Sequence, residues 1–168
     1  DSTTEDETNF ILTDEQINAI IKISESIKKN IFKSFLLFGV TGSGKTEIYI
    51  RLIKEILTGG KNAIIIVPEI ALTPQMLNYF SVHFSRERIA VIHSGLNNSE
   101  RFREWEKIRD NKIDIVLGVR SAIFAPLENI GIIIVDEEHE ESFKNQEMPT
   151  YNARDIAVMR AKQNKAIA

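Results

Sequence analysis

The chain has 168 residues, with 21 basic and 24 acidic side chains, a net charge of -3 and no cysteine. That balance supplies no overall field to draw the molecule onto nucleic acid, although a local basic face stays open; the missing thiols exclude disulfides and thiolate metal sites, and His83, His93 and His139 are too scattered to read as a structural zinc site. No apolar run approaches the roughly 18 residues of a membrane span and the acidic start lacks signal-peptide features, so the expected setting is the cytoplasm, with no membrane partner.

Residues 1–9 are polar and acidic with nothing to bury, and are expected to be disordered or a linker; residues 10–168 read as one domain. Thr13 is a helix cap, with Asp14 and Glu15 in the first turn and Ile17, Ile20, Ile21, Ser24 and Ile27 on one face. The run Phe35-Leu-Leu-Phe38 predicts a strand over 34–38. A helix over 45–57 stopped by Gly59-Gly60 follows, then a strand over 62–67 and a helix over 74–83 with Thr73 as cap and Pro74 in its first turn. A strand over 88–92 leads to a helix over 99–110, whose Phe102, Trp105 and Ile108 lie at helical spacing and are expected to pack. Strands over 113–117 and 130–135 and a helix over 153–163 complete the alternation, and Lys165-Ala-Ile-Ala168 reads as the opening of a further strand. Ala63-Ile-Ile-Ile-Val67 and Ile130-Gly-Ile-Ile-Ile-Val135 are continuously apolar, as strands covered on both faces are. The expected fold is α/β, a P-loop NTPase with a central, mostly parallel sheet and helices on both faces.

Two segments carry chemistry. Gly39-Val-Thr-Gly-Ser-Gly-Lys-Thr46 is a complete P-loop between an apolar run and a helical pattern. Gly39, Thr41, Gly42, Ser43 and Gly44 let backbone N–H groups turn toward phosphates, Lys45 brings a charge to the β and γ phosphates, and the Thr46 hydroxyl can hold Mg²⁺. The bland alternative is a glycine-rich turn before a helix. The apolar strand over 130–135 then empties into Asp136-Glu-Glu-His-Glu140, which places carboxylates at the crevice where ligands bind in open α/β sheets. Asp136 can hold Mg²⁺ and Glu137 can orient or deprotonate the attacking water; an acidic helix start favoured by the dipole is the competing reading. His139 is placed to couple the phosphate site to a neighbouring segment. No guanine-reading Asn/Thr-Lys-x-Asp segment supports a small kinase or GTPase, and a non-catalytic nucleotide-binding module is the remaining class.

The blocks Leu12-Thr-Asp-Glu-Gln16, the P-loop with Glu47, Val67-Pro-Glu-Ile-Ala-Leu-Thr-Pro-Gln75, His93-Ser-Gly-Leu96, Gly118-Val-Arg-Ser-Ala-Ile-Phe-Ala-Pro126, Asp136-Glu-Glu-His139 and Glu147 through Asp155 occur in this order. Together they resemble superfamily 2 helicases, and their wording resembles the bacterial primosomal replication-restart DNA helicases, over nearly the whole chain from about Phe10. The resemblance implies the first RecA-like lobe of a two-lobed ATP-dependent DNA helicase that binds ATP and Mg²⁺ and couples hydrolysis to movement on single-stranded DNA, in restart of stalled forks and primosome assembly. Implied partners are single-stranded and forked DNA, primosome proteins and single-strand-binding proteins; zinc belongs to a part of such helicases outside these residues. Another superfamily 2 translocase of recombination or repair is the alternative.

By the same resemblance Glu47 joins the nucleotide-binding set, and Gln16 reads adenine, although Thr13-x-x-Gln16 is equally a capping box. Thr73, Ser94, Gly95, Arg120, Ser121, Lys144 and Tyr151 are implied DNA contacts, and the stretch from Ser142 to Tyr151 an aromatic loop that couples DNA to hydrolysis. Phe124 reads as core rather than a base-stacking platform. Val119 departs from an expected threonine, and Thr150 and Asn152 from expected basic or histidine positions. The residues stop before the expected Ser-Ala-Thr block and contain no second lobe, to which the resemblance assigns an arginine finger. They are therefore expected to bind nucleotide weakly, to hydrolyse it very slowly if at all, and not to unwind DNA.

Overall fold

The computed structural model describes residues 11–40, 42–146 and 149–168. The expectations for residues 1–9, Thr41 and Glu147 fall outside them.

Eleven named elements alternate along the described residues: α1 (Asp14–Lys28), α2 (Lys45–Thr58), β1 (Asn62–Ile66), α3 (Pro74–His83), β2 (Ile89–Ile92), α4 (Asn98–Arg109), β3 (Ile115–Gly118), β4 (Ile130–Val135), the short β5 (Lys144–Asn145) and β6 (Tyr151–Asn152), and α5 (Ala153–Gln163). The four longer strands form one parallel sheet in the order β2-β3-β1-β4. Successive side chains leave a strand on opposite faces, so β1 splits its apolar run between two cores. Ala63 and Ile65 meet α1, α2 and α3 through Ile23, Ile50, Ile53 and Phe80, whereas Ile64 and Ile66 meet α4 and α5 through Ile108, Ala157 and Ala161. Each fully buried isoleucine contributes about 1.5–3 kcal/mol relative to an exposed one, so the continuous apolar runs are what hold helices to both faces.

Three expectations need correction. The run over 34–38 forms no strand; the pairing is a single bridge from Lys33 to Ile167. Two backbone bonds hold this end of the run, Phe35 N donating to Ala168 O and Ala168 N donating to Lys33 O. Phe35 and Leu37 still pack inward, but Leu36 and Phe38 are 73% and 95% exposed. Residues 165–168 do open as strand-like backbone, since Ile167 N donates to Gly131 O and Ile133 N donates to Ile167 O.

The second correction concerns α1, whose inward face is Gln16, Ile20, Ile23 and Ile27; Ile17 and Ile21 are exposed. Ser24 does face α2, donating to Glu55. The third concerns α4, where Ile108 is fully buried while Phe102 is 61% exposed and Trp105 borders solvent. This helix packs mainly on the edge strand β2, which leaves most of its surface uncovered.

Candidate functional site

Because the sheet is parallel, every strand delivers its following loop to the same rim. In spatial order the rim carries Ser94 and Gly95 after β2, Arg120 and Ser121 after β3, Glu69 and Thr73 after β1, and Asp136 to His139 after β4. The P-loop lies beside β4. A groove bordered by Ile167 and Ala168 lies between the two runs, and Leu37, Gly39, Lys45, Tyr49, Asp136 and Glu137 line it.

Gly42 and Gly44 both hold φ of 80°, in the left-handed region where a side chain is disfavoured, and Gly44 caps α2. That turn sets Lys45 at the helix start with Thr46 next to it. Lys45 Nζ donates to Gly39 O at 2.6 Å and lies 3.6 Å from Glu137 Oε1. The two chemical segments identified in the sequence are thus brought into contact. Glu137 itself has φ of 50°, a left-handed backbone in a residue with a side chain, which costs on the order of 1–3 kcal/mol and aims its carboxylate into the groove. His139 Nε2 sits 3.6 Å from Glu137 Oε2 with its ring largely in solvent, so Glu137 stands between a lysine and a histidine.

Asp136 is held by a residue that the motif reading passed over. Tyr49, buried on α2, donates its hydroxyl to Asp136 Oδ1 at 2.9 Å. Burial, then the charge of Asp136, raises the phenol well above its ordinary pKa and keeps it a proton donor. The signal was present in the sequence: Tyr49 lies three residues after Thr46, on the same helix face. Arg154 was also missed as a site residue. It pairs with Glu138 at 3.1 Å, and that hydrogen bond, followed by the one it donates to Asp155, holds its pKa above the ordinary value.

Among the described residues, no group of three His, Asp or Glu side chains is placed to hold a metal by itself. Thr46 and Asp136 offer one hydroxyl and one carboxylate, donor types that Mg²⁺ accepts where phosphate oxygens and water complete its shell.

Gln16 forms the capping box read from the sequence. Its side-chain oxygen accepts from Thr13 N and its backbone N–H donates to Thr13 Oγ1, completing the capping box, while Nε2 donates to Ser43 O at 2.9 Å. Glu47 does not line the groove. Its carboxylate accepts from Arg51 at 2.8 Å and from Tyr79 at 3.1 Å, tying α2 to α3.

On the rim, Thr73 caps α3 by accepting from Met76 N, and Ser94 donates to Glu69, a carboxylate that a phosphate would have to displace. Gly95 N donates to His93 Nδ1, and Ser121 is half-buried within the 3-10 turn over Arg120–Phe124. Arg120 donates to Lys144 O at 2.8 Å and stands over the Tyr151 ring; Lys144 is exposed on β5. Phe124, expected in the core, is 47% exposed and meets Tyr151 edge to face at 4.9 Å. The short β5/β6 hairpin carries Tyr151 out to it, so the aromatic partner of Phe124 comes from a tertiary contact that helical or strand periodicity could not register.

A family model described as "Type III restriction enzyme, res subunit" matches residues 9–167. The replication restart protein PriA of Bacillus subtilis is 53% identical over 153 residues, 91% of this chain and 19% of that protein. PriA of Chlamydia muridarum is 50% identical over 92% of this chain and 21% of that protein. The chain therefore spans about a fifth of the length of these curated relatives. Among solved structures, the UvsW helicase of bacteriophage T4 superimposes with a TM-score of 0.60 at 20% identity, covering 92% of this chain and 50% of that one. RecG bound to a three-way DNA junction gives 0.59 at 24% identity, over 78% of this chain and 18% of that one. Both likenesses bear out the P-loop α/β fold.

Proposed function

The chain belongs to the family of the type III restriction enzyme res subunit, and from that premise we propose that it is the ATP-binding lobe of an ATP-dependent DNA helicase acting in replication restart. One observation carries the reading: Lys45 of the P-loop and Glu137 of the acidic box face each other 3.6 Å apart.

On binding, the ATP phosphates lie against the N–H groups at the start of α2, and Lys45 exchanges Gly39 O for a phosphate oxygen. Thr46 and Asp136 would hold Mg²⁺, which would supply charge neutralisation at the phosphates. Loss of the lysine contact frees Glu137 to orient a water and take its proton, with His139 beside it. Thr73, Ser94, Gly95, Arg120 and Ser121 offer hydroxyls, amides and one guanidinium to a single strand laid along the rim, with Lys144 and Tyr151 at its hairpin end. Movement on forked DNA, and association with primosome and single-strand-binding proteins in the cytoplasm, would involve the longer protein of which the relatives are examples. The 168 residues alone bind nucleotide without unwinding.

Calorimetric titration of Mg-ATP into the purified chain, beside Lys45→Ala and with GTP as competitor, tests this. Saturable, ATP-preferring heat that disappears in K45A is expected. A folded chain that prefers GTP overturns the helicase reading, as does duplex unwinding by residues 1–168 alone for the division of labour. Glu137→Gln is expected to keep nucleotide binding and to lose any residual hydrolysis; unchanged hydrolysis removes Glu137 from the water-handling role.

A further inference from the structure

Helix α2 reaches the acidic box twice. Its first turn carries Lys45, opposite Glu137, and Thr46; the next carries Tyr49, whose hydroxyl donates to Asp136 Oδ1 at 2.9 Å. The ring of Tyr49 is buried among α2 and sheet residues, and its edge lines the same groove as Asp136. A buried tyrosine needs only one partner for its hydroxyl, and backbone carbonyls or water would serve. Here the partner is the single carboxylate to which the nucleotide reading gives the cation.

We infer that Tyr49 is a positioning residue for the cation site: by occupying Oδ1 of Asp136 it fixes the carboxylate rotamer and leaves Oδ2 to face the metal. The inference rests on the nucleotide reading above and adds a residue to it. The Tyr49 hydroxyl is committed to Asp136. It acts through Asp136, as a hydrogen-bonded outer partner orients a ligating carboxylate. Thr46 and Tyr49 stand three residues apart on one helix, so the hydroxyl ligand and the group that aims the carboxylate ligand move together. Any shift of α2 against β4 therefore disturbs both halves of the cation site at once.

Tyr49→Phe keeps the ring and removes the hydroxyl. ATP binding to the chain is measured by calorimetry in EDTA and at rising Mg²⁺. Y49F is expected to match the unsubstituted chain in EDTA and to require about tenfold more Mg²⁺ for half-saturation, the scale typical of outer-partner losses. In an Asp136→Asn background, Y49F is expected to change nothing further. A Mg²⁺ requirement within about twofold of the unsubstituted chain, or an equal loss of ATP binding with and without Mg²⁺, overturns the role of Tyr49 while leaving the nucleotide site in place. An unsubstituted chain that binds no ATP under either condition overturns both readings. Should Y49F fail to fold, the chain is labelled with 3-fluorotyrosine and the Tyr49 resonance assigned through Tyr79→Phe and Tyr151→Phe. That resonance is expected to move when Mg²⁺ is added to the ATP complex and to stay still in D136N; a resonance blind to Mg²⁺ overturns the inference.

Discussion

Arg160 directs its guanidinium at backbone rather than at a carboxylate. Nη1 donates to Ile123 O at 2.6 Å, and Nη2 donates to Ala125 O at 2.6 Å and Leu127 O at 3.1 Å. Desolvation lowers its pKa, yet it gathers three carbonyls that leave the rim turn after β3. Arg160→Ala is expected to cost about 2–3 kcal/mol in urea unfolding, because the half-buried carbonyls lose their donors, and Arg160→Lys to recover only part. Tyr49 makes a second prediction at this scale. Its folded pKa is raised above the ordinary tyrosine value of about 10, so the folded chain keeps a proton that the unfolded chain releases. The associated stability is complete below about pH 10 and is lost as pH rises beyond it. Urea midpoints followed from about pH 8 to 11 are therefore expected to fall less steeply in Y49F than in the unsubstituted chain.

At the scale of elements, α3, β4 and α5 begin and end where the sequence patterns place them, because each has a local marker: Thr73-Pro74 before α3, the unbroken apolar run of β4, and the Asn152 cap of α5. The P-loop and the acidic box were legible for the same reason. What failed depended on neighbours. The run over 34–38 has the composition of a strand but pairs by a bridge at Lys33, and Gln16, on the inward face of α1, reaches Ser43 O. Thr13→Ala is expected to cost about 1 kcal/mol of stability, since it removes one half of the capping box. Gly118 tests the junction of β3 with the rim. A Cβ there would meet Ile92 O at 2.5 Å and Ala122 Cβ at 2.6 Å, backbone and packed side chain alike. Gly118→Ala is expected to lower stability by about 1–3 kcal/mol and to lower the melting temperature accordingly.

For the whole molecule, four parallel strands converge on one rim, where the acidic box meets Lys45. If the groove is the nucleotide site, Mg-ATP at about 100 times its Kd stabilises the chain by roughly 2.7 kcal/mol, a rise in melting temperature of about 5–10 °C, and K45A shows none of it. A scanning-calorimetry series with and without Mg-ATP reads both. The sequence by itself determined the parallel α/β class, the glycine turn into α2 that bends the P-loop, and the acidic box at a strand's end, because apolar runs, glycines and caps act within a few residues of themselves. Only the tertiary structure decided that Tyr49 holds Asp136, that Gln16 holds the P-loop and that Phe124 meets Tyr151 in solvent. Those contacts join residues from different elements, and their distances follow from how helices settle on a sheet, which no local pattern encodes.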